Sequence, residues 1–373
     1  MTEQFTELLN QYRDAFHTQI PRYRQNRYAQ IVVLRETKSH AIFTTEGRTL
    51  DVERLQAGNT NTTAIDRVVM YKRKQVAPER RTGKALLRDL GILKEVEALS
   101  KDKGGKPKKP IGEGEDLNKD KGGKSKKTIR MDCQIMGGSC GMCPDCILYG
   151  YAATTGTGSQ KARVLTDSGF VVRSEPQVMR DIKLNAIQDT IAGGIAGSAF
   201  SGRENLLPQV FIPTVETLLD VTAAEFTYVL GNILKTTRYG AESNREGFIR
   251  NHVLAIYFSD VELFSNLELT QYFYDGLTEA SGNGQPHDYL SLEDFINAWP
   301  KVEQKALAPV FGRRRKVENL AGLLGGVRSL FENETALRSL LEALDRETLR
   351  YVRETKSKDK DKAGEGNEAE GEE

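Results

Sequence analysis

The sequence predicts an α+β protein, with strands and helices alternating around a sheet and helices gathered on one side of it. Three observations carry that expectation. Apolar residues recur at helical spacing near the start of the chain, short β-rich runs follow, and the last third of the 373 residues returns to helical periodicity. That length allows two domains or one elaborated domain.

Phe5, Leu8, Leu9, Tyr12 and Phe16 share one face of a helix expected over 3–19. Tyr28 to Leu34 and His40 to Thr45 read as strands, and a third is expected near Arg67 to Lys72. A short helix is expected over Thr82 to Leu90, with Gly91 ending it. Ala162 to Thr166 and Phe170 to Arg173 read as a hairpin turning at Ser168-Gly169. Thr222 to Thr236 is a helix presenting Phe226, Val229, Leu230 and Ile233 on one face, and His252 to Asp260 is a central strand. Further helices are expected at 291–300, 316–332 and 335–352.

Charge is distributed unevenly. The net charge of +1 conceals a Lys-rich stretch at 101–127, with ten Lys against five acids, and a tail at 356–373, with four Lys against seven acids. Lys101 to Lys109 and Lys119 to Lys127 are near-repeats, differing by Pro for Ser. With Ile111 and Leu117 almost its only apolar residues, that stretch buries too little surface to offset the entropy of ordering, so it is expected to be a solvated insertion or a flexible basic arm. Met1 to Gln11 lacks the apolar run of a signal peptide, and no stretch approaches about 18 consecutive apolar residues. The expected location is the cytoplasm, away from membranes.

All four cysteines, Cys133, Cys140, Cys143 and Cys146, fall within fourteen residues. Two Cys-x₂-Cys steps in series bring thiolates to one ion, and Gly137, Gly138 and Gly141 permit the turns. The expected occupant is a structural Zn²⁺ with all four positions filled by protein, which leaves no open coordination site for catalysis. An iron–sulfur cluster, a disulfide and four unrelated core thiols remain the alternatives.

Catalytic constellations are scarce. His17, His40, His252 and His287 sit in no metal or nucleophile motif, and no Gly-x₄-Gly-Lys-Ser/Thr loop exists. Gly193, Gly194 and Gly197 do not lie between a strand and a helix start. Cations do recur at turns: Lys72-Arg73-Lys74 at a strand end, Arg80-Arg81-Thr82-Gly83-Lys84 opening a helix, Arg238 to Gly247 in a Gly-flanked loop, and Arg313 to Lys316 beginning another helix. Guanidinium forks beside Gly and exposed amides suit a sugar–phosphate backbone held without sequence readout.

The order of these elements resembles the RAMP superfamily of CRISPR proteins. Gly83-Lys84-Ala85-Leu86-Leu87-Arg88, then Cys143 to Gly150, then Ala162 to Asp167 and the loop ending at Gly247 follow that family's succession over about residues 25–260. The four-cysteine version running into Leu148-Tyr149-Gly150-Tyr151-Ala152 is most similar to the backbone subunit of the type I-D, Cascade-like effector complex. The resemblance implies a ferredoxin-like (RNA-recognition-like) palm with an inserted zinc knuckle, a β-hairpin thumb and a helical C-terminal part.

On that basis 1–100 would hold the N-terminal helix and first part of the palm, 101–130 the Lys/Gly-rich insertion and 131–160 the zinc-binding insertion. Palm strands follow at 161–184, the thumb at 185–210 and the second part of the palm at 211–288. C-terminal helices occupy 289–355 and an acidic tail 356–373.

The resemblance further implies a non-catalytic subunit that oligomerises along a guide RNA as a helical filament, beside other effector-complex subunits. It would present the guide for pairing with target DNA in antiviral defence. Arg73, Arg81, Lys84, Arg88, Arg180, Lys183, Arg238, Arg245 and Arg313 would meet RNA, and Phe200 would wedge between bases. The RNA-cutting branch carries an Asp after a Gly pair in an early loop, where this chain has Thr44-Thr45-Glu46-Gly47 with Asp51 further on. A RAMP-type endoribonuclease using Glu46 or Asp51, and a zinc-stabilised protein–protein adaptor, are the competing expectations.

Overall fold

The computed structural model describes residues 3–45, 47–93, 133, 139–152, 159–184, 187–188, 195–196, 201–240 and 246–365. The Lys-rich insertion, most of the expected thumb, Phe200, Arg245, Glu46 and the acidic tail beyond 365 lie outside those residues. In chain order the elements are α1 (Glu3–Asn10), β1 (Tyr28–Thr37), β2 (Val52–Gln56), β3 (Ala64–Met70) and α2 (Lys72–Asp89). Then come α3 (Pro144–Tyr149), β4 (Tyr151–Ala152), β5 (Ser159–Gln160), β6 (Val164–Thr166), β7 (Gly169–Phe170) and α4 (Glu175–Val178). The ribbon strands β8 (Met179–Leu184), β9 (Ile187–Gln188), β10 (Ile195–Ala196) and β11 (Ser201–Leu206) follow. The chain continues through β12 (Phe211–Leu219), α5 (Ala223–Lys235), β13 (Ile249–Ser259), α6 (Asn266–Ser281) and α7 (Leu292–Leu307). It closes with β14 (Arg314–Lys316), α8 (Leu320–Glu332) and α9 (Glu334–Glu365).

The main sheet is antiparallel, in the order β14-β13-β1-β12-β6. β1 is its centre, and all ten of its residues are buried. A strand flanked on both edges and both faces needs apolar side chains in either direction. Ala29, Ile31 and Val33 accordingly point into one core, with Leu87 of α2 and Phe226 and Val229 of α5. Val32 and Leu34 point into the other, with Phe273 of α6 and Phe295, Trp299 and Val302 of α7. Helices therefore cover both faces, which corrects the one-sided arrangement expected from the sequence. The second face is filled by α6 and α7.

α5 behaves as its sequence dictates. Thr222 and Glu225 form a reciprocal capping box, and the helix runs to Lys235. Other expectations are corrected. α2 begins at Lys72, ten residues before the expected start, and carries Pro78 in its interior. Lys72-Arg73-Lys74 thus opens a helix, and Arg80 to Lys84 lie mid-helix, without the free N-terminal amides that favour a phosphate. His40 to Thr45 contributes only an isolated bridge, Ala41 to Leu206. The expected hairpin at Ser168-Gly169 is absent: β6 pairs with β12, whereas β7 pairs with β3. Arg314 to Lys316 form an edge strand on β13. α1 stops at Asn10 and gives way to a short 3₁₀ turn at Arg13–Ala15.

β8 pairs with β11 in a two-stranded ribbon, from Met179 opposite Leu206 to Leu184 opposite Ser201. The ribbon leaves the body at the Thr37 end of β1, where the Thr37 amide donates to the Val210 carbonyl at 2.9 Å. Beneath it, Arg35 is fully buried and shared between two carboxylates, Glu79 of α2 (3.0 Å) and Glu216 of β12 (2.7 Å). One guanidinium cannot balance two buried anions. Burial, with Glu79 beside it, pushes the Glu216 carboxyl well above its ordinary pKa, which favours its protonated form.

Candidate metal centre and nucleic-acid interface

The four cysteine sulfurs lie within 4.8 Å of one another, and Cys133, Cys143 and Cys146 are fully buried. Cys133 and Cys146 sulfurs are 3.3 Å apart, Cys140 and Cys146 sulfurs 4.0 Å. Thiolates about 2.3 Å from a tetrahedral ion sit roughly 3.8 Å from each other, so the spacing fits one metal held by four sulfurs. Gly141 supplies a positive φ of 65° between the second and third cysteines. Cys143 then begins α3, whose N1 residue is Pro144, so the turn and the helix together aim Cys143 and Cys146 inward. Backbone amides complete the arrangement: Cys140 donates to the Cys133 sulfur and Met142 to the Cys140 sulfur, each at 3.4 Å.

α2 grips this loop with residues spaced one turn apart. Arg80 forks onto Asp145, Nη2 to Oδ2 at 2.7 Å, and Asp145 is fully buried between two of the cysteines. Lys84 donates to the Cys133 carbonyl at 3.0 Å and to the Cys133 sulfur at 3.1 Å, and lies 3.4 Å from Asp145. Arg88 donates to the same carbonyl at 3.2 Å. Burial pulls the Lys84 ammonium toward deprotonation, but the Asp145 charge and the Cys133 sulfur outweigh it and hold the pKa above its ordinary value. A dication with four thiolates carries a net charge of −2, which the Lys84 and Arg80 cations offset beside Asp145.

These contacts relocate part of the expected RNA-binding set. Lys84 is only 2% exposed, and in this arrangement it serves the cysteine cluster and cannot reach a phosphate. Arg88, half-buried, is turned the same way. Arg73, Arg81, Arg180, Lys183 and Arg238 are all exposed. Several of them are brought together at one end of the sheet. Thr236 donates to Thr82 at 2.8 Å, tying the turn of α2 that carries Arg81 to the segment that carries Arg238. Arg238 stands over the Phe248 ring, 5.5 Å from its centre. Arg180 and Lys183 lie on β8, at the Thr37 end. Arg313 lies at the opposite end, paired with Asp260 at 2.8 Å.

Two exposed cations at the ribbon end, Arg48 and Arg250, escaped the sequence reading. Arg48 sits in a loop whose carbonyl accepts from Glu204 of β11, and Arg250 lies on β13 opposite Glu36. Neither has a flanking cluster that would mark it. The described histidines with recorded partners are structural: His17 meets Asp220 at 3.2 Å and His252 meets Glu36 at 2.9 Å. No described helix is long and apolar enough to cross a membrane.

No curated protein matches the chain. Among solved structures, the crystal structure of Thermofilum pendens Csc2 superposes with a TM-score of 0.57 at 17% identity, covering 95% of this chain and 98% of that one. A CRISPR RNA-guided surveillance complex chain gives a TM-score of 0.40 at 10% identity, covering 85% of this chain and 98% of that one. The family model described as Csc2 Crispr matches residues 15–341. The chain, a mixed helix-and-sheet protein with a four-cysteine cluster, belongs to the Csc2 CRISPR family.

Proposed function

We propose that this chain is the guide-RNA-coating backbone subunit of a type I-D effector complex, a non-catalytic protein that tiles RNA and presents it for pairing with target DNA. The observation that carries the proposal is the convergence of Arg48, Arg81, Arg180, Lys183, Arg238 and Arg250 on the ribbon end of the sheet, in a member of a CRISPR family. Backbone-directed cations grip RNA without reading sequence, leaving specificity to base pairing. The order β1-α2-β6-β12-α5-β13, with the strands arranged β13-β1-β12-β6, supports a ferredoxin-like palm. The β8–β11 ribbon supports a thumb. The sulfur spacing and amide donors support Zn²⁺ over an iron–sulfur cluster, with a structural role only.

The deciding experiment is nuclease protection of single-stranded RNA at rising protein-to-RNA ratios. Protected fragments that lengthen in equal steps are expected. Cleavage of the RNA by the protein, abolished by Glu46→Ala or Asp51→Ala, would establish the endoribonuclease instead. Neither protection nor cleavage would leave the zinc-stabilised adaptor.

A further inference from the structure

At the end of the main sheet away from the ribbon, the chain enters β1 through Pro21-Arg22-Tyr23-Arg24-Gln25-Asn26-Arg27. The ten residues of β1 put this segment about 30 Å from Thr37 and the ribbon. Tyr23 is 83% exposed, and Arg22 and Arg24 on either side of it are exposed as well.

The loop is held in one shape from below. Asp220, just after β12, accepts the Gln25 amide at 2.8 Å and the Arg27 amide at 3.0 Å, and its own amide donates to the Arg27 carbonyl at 2.7 Å. Asn26 takes a φ of 59°, which turns the chain sharply. Arg27 donates to the carbonyls of Asp14 and Phe16 at 3.1 and 3.0 Å. Arg22 and Arg24 are steadied without being neutralised. Arg22 donates to the Glu354 carbonyl of α9 at 2.8 Å, and Arg24 donates to Asn26 Oδ1 at 2.7 Å and to the Tyr28 hydroxyl at 2.6 Å. A guanidinium carries five N–H donors, so most of both forks stay open.

The acids around the loop are committed elsewhere. Asp14 is paired with Arg315 at 2.7 Å, Glu347 and Glu354 with Arg350 at 2.6 and 2.7 Å, and Asp220 also holds His17 at 3.2 Å. Glu262 faces Arg24 only from beyond salt-bridge distance. The Arg22 contact sets the loop beside a cleft of about 520 Å³ on α9, lined by Arg346, Leu349, Arg350, Arg353 and Glu354. Among the described residues, Arg22, Arg24 and Arg353 stand in no salt bridge.

We propose that this loop is a second binding site for single-stranded nucleic acid, separate from the ribbon end. An unstacked base lies on the Tyr23 ring and the adjoining phosphates on Arg22 and Arg24, with Arg353 of the cleft as a further cation. Stacking needs only a π-face and a guanidinium needs only a phosphate, so the site takes any sequence. A preformed loop gives up little entropy on binding. A protein partner fits less well: Tyr23 is a lone ring whose exposed neighbours are Arg22, Arg24, Gln25 and Asn26, a polar rim with no apolar centre. The site does not depend on RNA coating at the ribbon end. RNA and DNA share the chemistry, and the experiment separates them.

Ultraviolet light couples tyrosine to a base stacked on it. The full chain is irradiated with oligouridine, with oligothymidine, and with labelled oligothymidine after saturation by oligouridine, and the adducts are mapped by mass spectrometry. An adduct on Tyr23 is expected. With oligouridine it assigns the site to RNA, and with oligothymidine on the RNA-saturated protein it assigns the site to DNA. No Tyr23 adduct with either strand overturns the proposal. In parallel, Tyr23→Ala should weaken binding of the assigned strand about 5- to 100-fold by fluorescence anisotropy, Tyr23→Phe should retain it, and both should melt with the parent protein. Unchanged affinity in Tyr23→Ala overturns the proposal, and so does loss of self-association without loss of affinity, which would make the loop a contact between copies. The stepwise ladder of protected RNA reads the ribbon end and should persist in Tyr23→Ala. Its absence in the unaltered protein rejects RNA coating, and the oligothymidine arm then still decides this site.

Discussion

At Gly83 the space for a side chain is already taken: a Cβ would lie 2.2 Å from the Tyr228 hydroxyl and 2.5 Å from the Asn232 amide on α5. Alanine would gain about 1 kcal/mol of helix propensity but overpack a buried crossing, which typically costs about 1–3 kcal/mol. Gly83→Ala should therefore lower the melting temperature modestly and Gly83→Val by several degrees, as differential scanning calorimetry would show. Glu216 gives a pH signature. Its folded pKa lies above the ordinary 4.5, so its contribution is fully present below 4.5 and is lost as pH rises through the elevated value. Melting temperature should decline on the alkaline side, and Glu216→Gln should flatten that decline. A variant that tracked the parent protein's profile would remove Glu216 as the cause. The sequence could name Lys84 but not its task. A Gly-Lys pair reads as a phosphate site, and only the fold brings Cys133, forty-nine positions away, within 3.1 Å of the ammonium.

Among the elements, the cysteine loop and α2 stand or fall together. Removing the metal with a chelator should expose 139–152 to limited proteolysis and lower the melting temperature, and readdition of Zn²⁺ should restore both. One zinc per chain by elemental analysis is expected, and iron with visible absorbance would instead reveal a cluster. Lys84→Met should weaken metal retention while leaving RNA affinity nearly unchanged once zinc is in excess. Elements with local signals were legible. α5 announced itself through Phe226, Val229, Leu230 and Ile233 on one face, and the cysteine cluster through spacing alone. α6 went unassigned between the strand expected to end at Asp260 and the helix expected from 291, although Ser265 caps it and Gly282 closes it at a φ of 68°. Pro78 disguised the first half of α2, where tertiary packing overrides weak propensity. Pro213 disguised β12, tolerated where β6 covers only Glu216 to Leu218. Three consecutive charges concealed β14.

For the whole molecule, the two-sided burial of the sheet leaves the ribbon end as one surface where exposed cations collect. RNA affinity should fall steeply with salt, and Arg81→Ala, Arg180→Ala and Arg238→Ala should each reduce the slope of log affinity against log salt by about one. Loss of affinity without a change of slope would mean that these residues shape the surface and do not meet phosphates. The general class, an α+β protein with a four-cysteine cluster, was legible because periodicity and spacing are local. The covering of the second face by α6 and α7 was not, since amphipathic helices do not disclose which side of a sheet they choose.

α9 also bears on how the protein is made. Tyr351 and Val352 pack with Ile20 and with Ile147 of α3, and Glu347 accepts the Ile20 amide at 2.6 Å. One helix thereby latches both the segment before β1 and the cysteine-bearing helix. Ile147 leaves the ribosome about 200 residues before its partners do, a wait of roughly 10–40 s at 5–20 residues per second. Throughout that interval the thiols stand beside an unsealed apolar pocket, able to take up metal but open to oxidation, and α9 closes the pocket only after translation has passed it.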